Sequence, residues 1–476
     1  MAIYDEKQIK TVVRQILKEM SISTPGTGRG KKIIIIGAVA AGMSAATKIT
    51  RLDKSADVVV YEAGEHVSYG ACGLPYYISG DNDDIGKLFA KPLEYFSKAG
   101  INIHTNHAVT KVSPADKTIT VRDLKNDNFI TDHYDKLLIA TGARAVTPDV
   151  EGANKQGVYT IKTVPDAEKL REEASRHDIN NAVIVGGGYI GIEACEAMLK
   201  RGIKVTLVEA ADRILGAFEP EMSEIARGEL EKHGVSIKTG EHLVKIEGTA
   251  RVEKVVTDKT SYKADLVIIA LGVKPNTEFL QDSGVSLAEN GAVITDREMR
   301  TNIGDIYAAG DCALVYSHIA AENVYLPLGG PANKCGRVAA ANMLGGRDKF
   351  IGVLGSAAIK VMGIEIAQTG LTAAQAAGLK IDFAETIVTA ADHPAYYPGQ
   401  TPLTIKLISE KKSGKLLGAS ACGEKGAVLR IDALAVAVYA GLSVETLAMM
   451  DFCYAPPFAT VWDAMNVAGN RAAREP

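Results

Sequence analysis

The chain has 476 residues, of which 47% are hydrophobic and 23% charged, with a formal net charge of −4. At roughly 150 residues per domain the length suggests about three domains with ample core, and the balance excludes disordered and collagen-like chains. The charge gives no reason to expect nucleic acid or an anionic membrane as partner, and no apolar run reaches the roughly 20 residues of a bilayer span.

From the N-terminus, Ile9, Val12, Val13, Ile16, Leu17 and Met20 recur at helical spacing. They predict one apolar stripe on an amphipathic helix, with Asp5 and Gln8 as a capping box. A helix this short needs a surface to cover. The charges Asp5, Glu6 and Lys7 rule out a signal peptide at this end. Residues 21–32, SISTPGTGRGKK, read as a flexible linker.

Next comes a strand, Lys32–Gly37, then the turn Gly37-Ala-Val-Ala-Ala-Gly42, a small-residue helix, and a second strand, Asp57–Glu62, ending on an acid. The same grammar returns as the strand Ala182–Val185, the turn Gly186-Gly-Gly188-Tyr-Ile-Gly191, the helix Ile192–Arg201 and the strand Val205–Glu209. Each unit predicts a βαβ half that seats a pyrophosphate on a helix N-terminus. The terminal acid, Glu62 or Glu209, accepts from a ribose hydroxyl. Two dinucleotide sites follow. Val39 occupies the middle glycine position of the first turn, so the second turn is the cleaner match.

Further strands are expected at Leu137–Gly142, Ala264–Gly272 and Asp305–Asp311, with a helix from Gly336 onward. From Phe350 alternating strands and an apolar helix at Arg430–Leu442 suggest another domain. Six cysteines without a CxxC pair point to a reducing cytosol, and no Cys or His stand at metal-ligand spacing. Cys72 lies in Ser68-Tyr-Gly-Ala-Cys-Gly-Leu-Pro75, whose turn residues would place its sulfur near a helix N-terminus, where a thiolate is stabilised. A buried, inert thiol is the competing reading. Cys195, Cys312, Cys335, Cys422 and Cys453 read as packing.

These blocks resemble the FAD-dependent pyridine nucleotide–disulfide oxidoreductases. Within them the chain is similar to the single-cysteine branch that holds CoA-disulfide reductase, NADH oxidase, NADH peroxidase and persulfide reductase. The resemblance runs from Lys32 to about Gly469 and rests on six motifs: IIIIGAVAAGMSAA, SYGACGLPYYISG, ATG at Ala140–Gly142, GGGYIGIE, GVKPNTEFL and YAAGD. It implies an α/β fold with two Rossmann-like domains, FAD-binding at 32–148 and 270–345 and NAD(P)H-binding at 149–269. A C-terminal α+β dimerisation domain would span 346–476, and residues 1–31 would stand apart.

For FAD the resemblance implies Gly37, Val39, Ala40, Ala41, Gly42, Glu62, Thr141, Gly142 and Asp311. For NADH it implies Gly186, Gly188, Tyr189, Ile190, Gly191, Glu209 and Gly272. Glu209 would repel a 2′-phosphate and favour NADH, although Lys204 and Arg213 nearby leave NADPH open.

The two-cysteine branch needs CxxxxC and a C-terminal His–Glu pair. Here the next cysteine is Cys195 and the last histidine His393, so the chemistry implied is a mixed disulfide or a sulfenic acid on Cys72. The peroxidases and oxidases of the branch carry a histidine where Ala40 stands, which favours CoA-disulfide reductase. Those enzymes use two tyrosines from the partner subunit, supplied here by Tyr396 or Tyr397 and by Tyr454. Arg51, Ser68, Lys98 and Asn333 would contact substrate with Tyr397. Ala71 and Trp462 replace an asparagine and a lysine expected of a close CoA match.

The implied reaction has NADH reducing FAD at a site covered by Tyr189, and FAD reducing a small disulfide or persulfide held on Cys72. Tyr454, with Tyr396, would protonate the leaving thiolate. The alternatives are an NADH oxidase with a Cys72 sulfenic acid, and a slowly turning NADH-sensing flavoprotein. A cytoplasmic homodimer is expected. The helix and linker at the N-terminus resemble the encapsulation peptides of bacterial microcompartments, so a shell or other docking partner is open beside packing on the protein itself.

Overall fold

A computed structural model of the chain describes residues 30–474. The amphipathic helix expected at residues 1–20 lies outside the described residues.

Strand β1 (Lys32–Ile36) is a β-branched run covered on both faces. Ile33 and Ile35 enter a core with helix α1 (Ala40–Leu52), while Ile34 and Ile36 enter a second core behind it. Successive side chains point to opposite faces, so a continuous apolar run is what a doubly covered strand requires. Each buried isoleucine contributes about 2 kcal/mol. The unit continues through β2 (Asp57–Tyr61), helix α2 (Leu74–Ser79), β3 (Ile101–His104) and β4 (Lys136–Ile139).

The second unit repeats the plan with β5 (Val158–Thr160), β6 (Asn181–Val185), α3 (Tyr189–Lys200), β7 (Lys204–Glu209), α4 (Pro220–Lys232), β8 (Ser236–Thr239) and β9 (Leu266–Ile269). The chain then returns to the first sheet with β10 (Ile306–Ala308), followed by α5 (Gly329–Met343) packed on α1. The first sheet runs β10-β4-β1-β2-β3 and the second β8-β7-β6-β9-β5, every pairing parallel.

Beyond them an antiparallel sheet runs β11 (Ala357–Val361), β12 (Ile364–Gly370), β15 (Leu416–Gly423), β14 (Pro402–Glu410) and β13 (Phe383–Ala391) across its width. Helices α6 (Ala427–Ala440) and α7 (Ala464–Ala472) pack on it.

Element bounds differ from the expected ones for local reasons. The strands expected to reach Gly142 and Gly272 stop at Ile139 and Ile269, and both glycines take positive φ, 62° and 91°. The strand expected over Asp305–Asp311 is limited to Ile306–Ala308. The helix expected from Gly336 starts seven residues earlier, at Gly329. Each unit also carries a three-stranded antiparallel meander, at 107–133 and 243–263, that is not among the strands expected from the sequence; its strands are half-exposed and carry few apolar residues, although Ile119 and Val121 alternate into the core. Among the described residues, no helix is long and apolar enough to cross a membrane and no group of three His, Cys, Asp or Glu is placed to hold a metal ion.

Candidate active site

The two glycine turns superpose in their bonding. Gly37 (φ 105°) and Gly186 (φ 109°) donate their N–H to the carbonyls of Tyr61 and Val208, both at 2.8 Å. A Cβ on Gly42 would lie 1.9 Å from the Gly37 carbonyl oxygen, and one on Gly191 equally 1.9 Å from that of Gly186. Glycine is obligatory there because helix and strand touch backbone to backbone. The middle positions differ. Val39 and Gly188 both have negative φ, −109° and −79°, so this position does not demand the left-handed backbone that only glycine adopts readily. Neither α1 nor α3 has a side-chain N-cap, which leaves their first N–H groups, beginning at Ala40, Ala41 and at Tyr189, Ile190, facing outward for an anion.

The acids close the same loop in each unit. Glu62 Oε2 accepts from Ala38 N at 2.7 Å and Oε1 from Gly64 N at 2.8 Å; Glu209 Oε2 accepts from Gly187 N at 2.6 Å and Oε1 from Ala211 N at 2.7 Å. At the junction of the units, Thr141 Oγ1 donates to the Asn276 carbonyl at 2.7 Å, and Asn276 donates back to Gly142 (backbone, 3.0 Å) and Thr141 (Nδ2, 3.1 Å). The Val146 amide donates to the Gly272 carbonyl at 2.9 Å.

Cys72 is an exposed, unpaired thiol in the short 3-10 turn Ala71–Gly73 that leads into α2. Ser68 (φ 53°) ties this segment to the first turn through its N–H to the Ala38 carbonyl at 2.7 Å. Helix α2 packs on α3 and on the helix Val164–Glu173 of the second unit. Arg171 anchors its C-terminal end, donating to the Tyr77 and Asn82 carbonyls at 3.0 Å and lying over the Tyr77 ring.

Burial, together with the carboxylates of Glu193 and Asp311, pushes the Cys72 thiol up, opposed in part by Lys162. This runs against the expectation of a thiolate stabilised by the helix: α2 is only six residues long, and burial first, then the two acids, favour the neutral thiol. Glu193, four residues after Tyr189, is pushed up to about 7 by burial and by Glu196. Lys162 Nζ reaches Asp311 at 3.3 Å, and Tyr325 Oη donates to the Asp311 carbonyl at 3.1 Å. Burial pushes the hydroxyl of Tyr189 up to about 12, and its ring packs against Phe218.

On the C-terminal sheet domain, Tyr396 and Tyr454 place their hydroxyls 2.8 Å apart. Both are solvent-exposed, as is Tyr397. Among the described residues no hydrogen bond, ion pair or ring contact joins this pair to the Cys72 segment. Arg51 and Lys98 are exposed in the last turns of their helices, and Asn333 on α5 accepts a hydrogen bond from Ser44 of α1. Of the five cysteines read as packing, Cys195, Cys312, Cys335 and Cys422 are buried, but Cys453 is exposed beside Tyr454.

Residues 31–336 match the family described as "Pyridine nucleotide-disulphide oxidoreductase", and residues 356–465 its dimerisation domain. The chain belongs to this family. It is 40% identical to the NAD(P)H coenzyme A polysulfide/persulfide reductase of Pyrococcus horikoshii, over 93% of this chain and 98% of that one. It is 35% identical to an NADH oxidase of Methanocaldococcus jannaschii, over 93% and 99%. It is 30% identical to the coenzyme A disulfide reductase of Staphylococcus epidermidis, again over 93% and 99%. The crystal structure of reduced Bacillus anthracis CoADR-RHD matches with a TM-score of 0.91 at 31% identity, covering 94% of this chain and 80% of that one.

The family's cofactors are FAD and NAD(P)H, and the residues present fit them: two uncapped helix N-termini, each behind a glycine turn. Space in front of the second turn is open, since a Cβ on Gly188 would meet nothing within 4 Å. Glu193 and Lys162 were not singled out from sequence. An acid at i+4 from Tyr189 in an apolar helix was the available signal for Glu193. Lys162 comes from a loop with none, 149 positions from Asp311.

Proposed function

We propose that the chain is an FAD-dependent oxidoreductase that uses NAD(P)H to reduce a small thiol disulfide or persulfide of the CoA type through Cys72. The observation that carries this reading is the unpaired, exposed thiol of Cys72 just before α2, the helix of the first unit that packs against the second. The names of the relatives support the substrate class. FAD, when bound, supplies the two-electron relay between nicotinamide and sulfur.

The protein's own part is as follows. The glycine turns and Glu62 and Glu209 hold the nucleotides, and Tyr189 covers the nicotinamide side. The Cys72 thiolate attacks one sulfur of the disulfide, forming a mixed disulfide and releasing a thiolate. Tyr454, paired with Tyr396, protonates that thiolate. Two-electron cleavage of the mixed disulfide then returns the Cys72 thiolate and a second thiol. Overall NAD(P)H, a proton and one disulfide become NAD(P)+ and two thiols. Arg51, Ser68, Lys98, Asn333 and Tyr397 contact the acceptor. The exposed tyrosines serve the Cys72 of a partner subunit in a homodimer, which the dimerisation-domain match supports.

Rapid-mixing kinetics test this reading. Tyr454→Phe should leave reduction of the bound flavin by NADH intact and slow CoA-disulfide turnover by at least tenfold. Wild-type turnover in that variant would overturn the role of the tyrosine. The similarity to an NADH oxidase favours a second reading, in which Cys72 cycles as a sulfenic acid; oxygen consumption exceeding disulfide reduction would establish it. A cytoplasmic location with residues 1–20 docking on a microcompartment shell is supported by the apolar stripe and linker. Fusing residues 1–30 to a reporter should carry it into a shell, and Val12→Glu with Ile16→Glu should abolish this.

A further inference from the structure

We propose that Arg430 is the positioning residue for the Tyr396–Tyr454 hydroxyl pair, because its guanidinium ties together the two loops that carry the tyrosines. The inference rests on the reading of that pair as the proton donor.

The two tyrosines are 58 positions apart and sit on loops that are short of structure of their own. Tyr396 lies in the connection 392–401 between β13 and β14, and Tyr454 in the stretch 451–463 before α7. Both rings are exposed, so packing does not hold their hydroxyls at 2.8 Å. Two flexible phenols would lose side-chain and backbone entropy on pairing at the surface, and one neutral hydrogen bond exposed to water does not offset that. Something beneath must hold the loops.

Arg430, in the first turn of α6, lies directly beneath them and is buried. Its Nη2 donates to the Asp392 carbonyl at 3.2 Å, where the first loop begins, and to the Phe458 carbonyl at 3.4 Å in the second. Its Nε and Nη2 form a fork with the buried carboxylate of Asp463 at 2.8–3.1 Å, and Nη1 reaches the Gly426 carbonyl at 3.2 Å. The planar five-donor fork of arginine fits this task, and a lysine would not reproduce it.

Each attachment is extended into its loop. Asp392 accepts from the Thr401 amide at 2.8 Å, which closes the first loop, and lies 2.9 Å from His393 Nδ1. The other ring nitrogen of His393 reaches the Tyr397 carbonyl at 3.2 Å, next to Tyr396. Asp463 caps α7 through the Met465 amide and pairs with Asn466, whose amide donates to the Met450 carbonyl at 3.0 Å at the start of the second loop. Apart from the tyrosine pair itself, Arg430 is thus the side chain that joins both loops directly among the described residues of this network.

The test uses the flavin-loaded full chain. Arg430→Lys keeps a charge opposite Asp463 but loses the fork. The double variant Arg430→Met with Asp463→Asn removes both buried charges together, so no unpaired charge is left to unfold the domain. In both, flavin reduction by NADH should match wild type, while CoA-disulfide turnover falls at least tenfold, with little further loss when Tyr454→Phe is added. Fluorine NMR of fluorotyrosine-labelled enzyme should show Tyr396 titrating at lower pH once separated from Tyr454.

Unchanged Tyr396 titration in the Arg430 variants overturns the positioning role, whatever the turnover shows. Losses that multiply fully with Tyr454→Phe overturn it as well, since independent acts multiply. Wild-type turnover in Tyr454→Phe instead overturns the proton-donor reading, and the titration still decides the positioning.

Discussion

Lys406 Nζ, on strand β14 of the C-terminal sheet, lies 2.9 Å from Oε2 of Glu219, the residue directly before helix α4 of the second unit. The two side chains are 3% and 2% exposed. Glu221 and Glu385 complete the cluster at 2.9 and 2.7 Å, and Glu219 Oε1 accepts from the Ala373 amide at 2.7 Å. The carboxylates hold the lysine charged, well above its ordinary range. Phe218, which packs on Tyr189, directly precedes Glu219. The clamp therefore joins the segment beneath Tyr189 to the sheet of the dimerisation domain.

Removing one partner of such a pair strands the other as a buried charge, at a cost of about 3–5 kcal/mol. Lys406→Met should lower the melting temperature by several degrees, and adding Glu219→Gln should recover part of it. Thermal denaturation followed by flavin fluorescence checks both.

The pH response of Cys72 should depend on Glu193. Since Glu193 is pushed up to about 7, it is charged above that pH and repels the Cys72 thiolate. Glu193→Gln should shift the alkylation of Cys72 by iodoacetamide to lower pH, and Lys162→Met should shift it to higher pH.

The same carboxyl affects stability. Its folded value lies above its ordinary 4.5, so between 4.5 and about 7 the folded state binds the extra proton. Its contribution is fully present below about 4.5 and is lost as pH rises through about 7. Denaturant titrations should show a decline of about 3 kcal/mol across that window in wild type that is absent in Glu193→Gln.

Cys72→Ser should abolish reduction of CoA disulfide while leaving NADH reduction of the flavin at its wild-type rate. The nucleotide turns are formed by backbone contacts that do not include the sulfur.

Glu209→Ala should shift the NADPH-to-NADH ratio of kcat/KM toward NADPH by about 1–3 kcal/mol. Because the carboxylate also holds the Gly187 and Ala211 amides, KM should rise for both nucleotides. Steady-state kinetics with each nucleotide separates the two effects.

By itself the sequence determined the repeated βαβ units, the glycine turns with their acids, and the cysteine between them. Each is written in neighbouring residues: a β-branched run buried on two faces, a glycine where a Cβ would strike a carbonyl, an acid at the end of the next strand. It did not reveal the two meanders, whose half-exposed strands bury only single alternating residues such as Ile119 and Val121 in place of a continuous apolar run. Nor did it reveal that a thiol ahead of a helix would be pushed up, because both its burial and the charges of Glu193 and Asp311 come from distant parts of the chain. Only the tertiary structure decided the pairings of Lys162 with Asp311, Lys406 with Glu219, and Tyr396 with Tyr454 over Arg430. These side chains lie 58 to 187 positions from their partners. A charge or hydroxyl has no periodicity, and its role depends on which groups the fold brings within 3 Å of it.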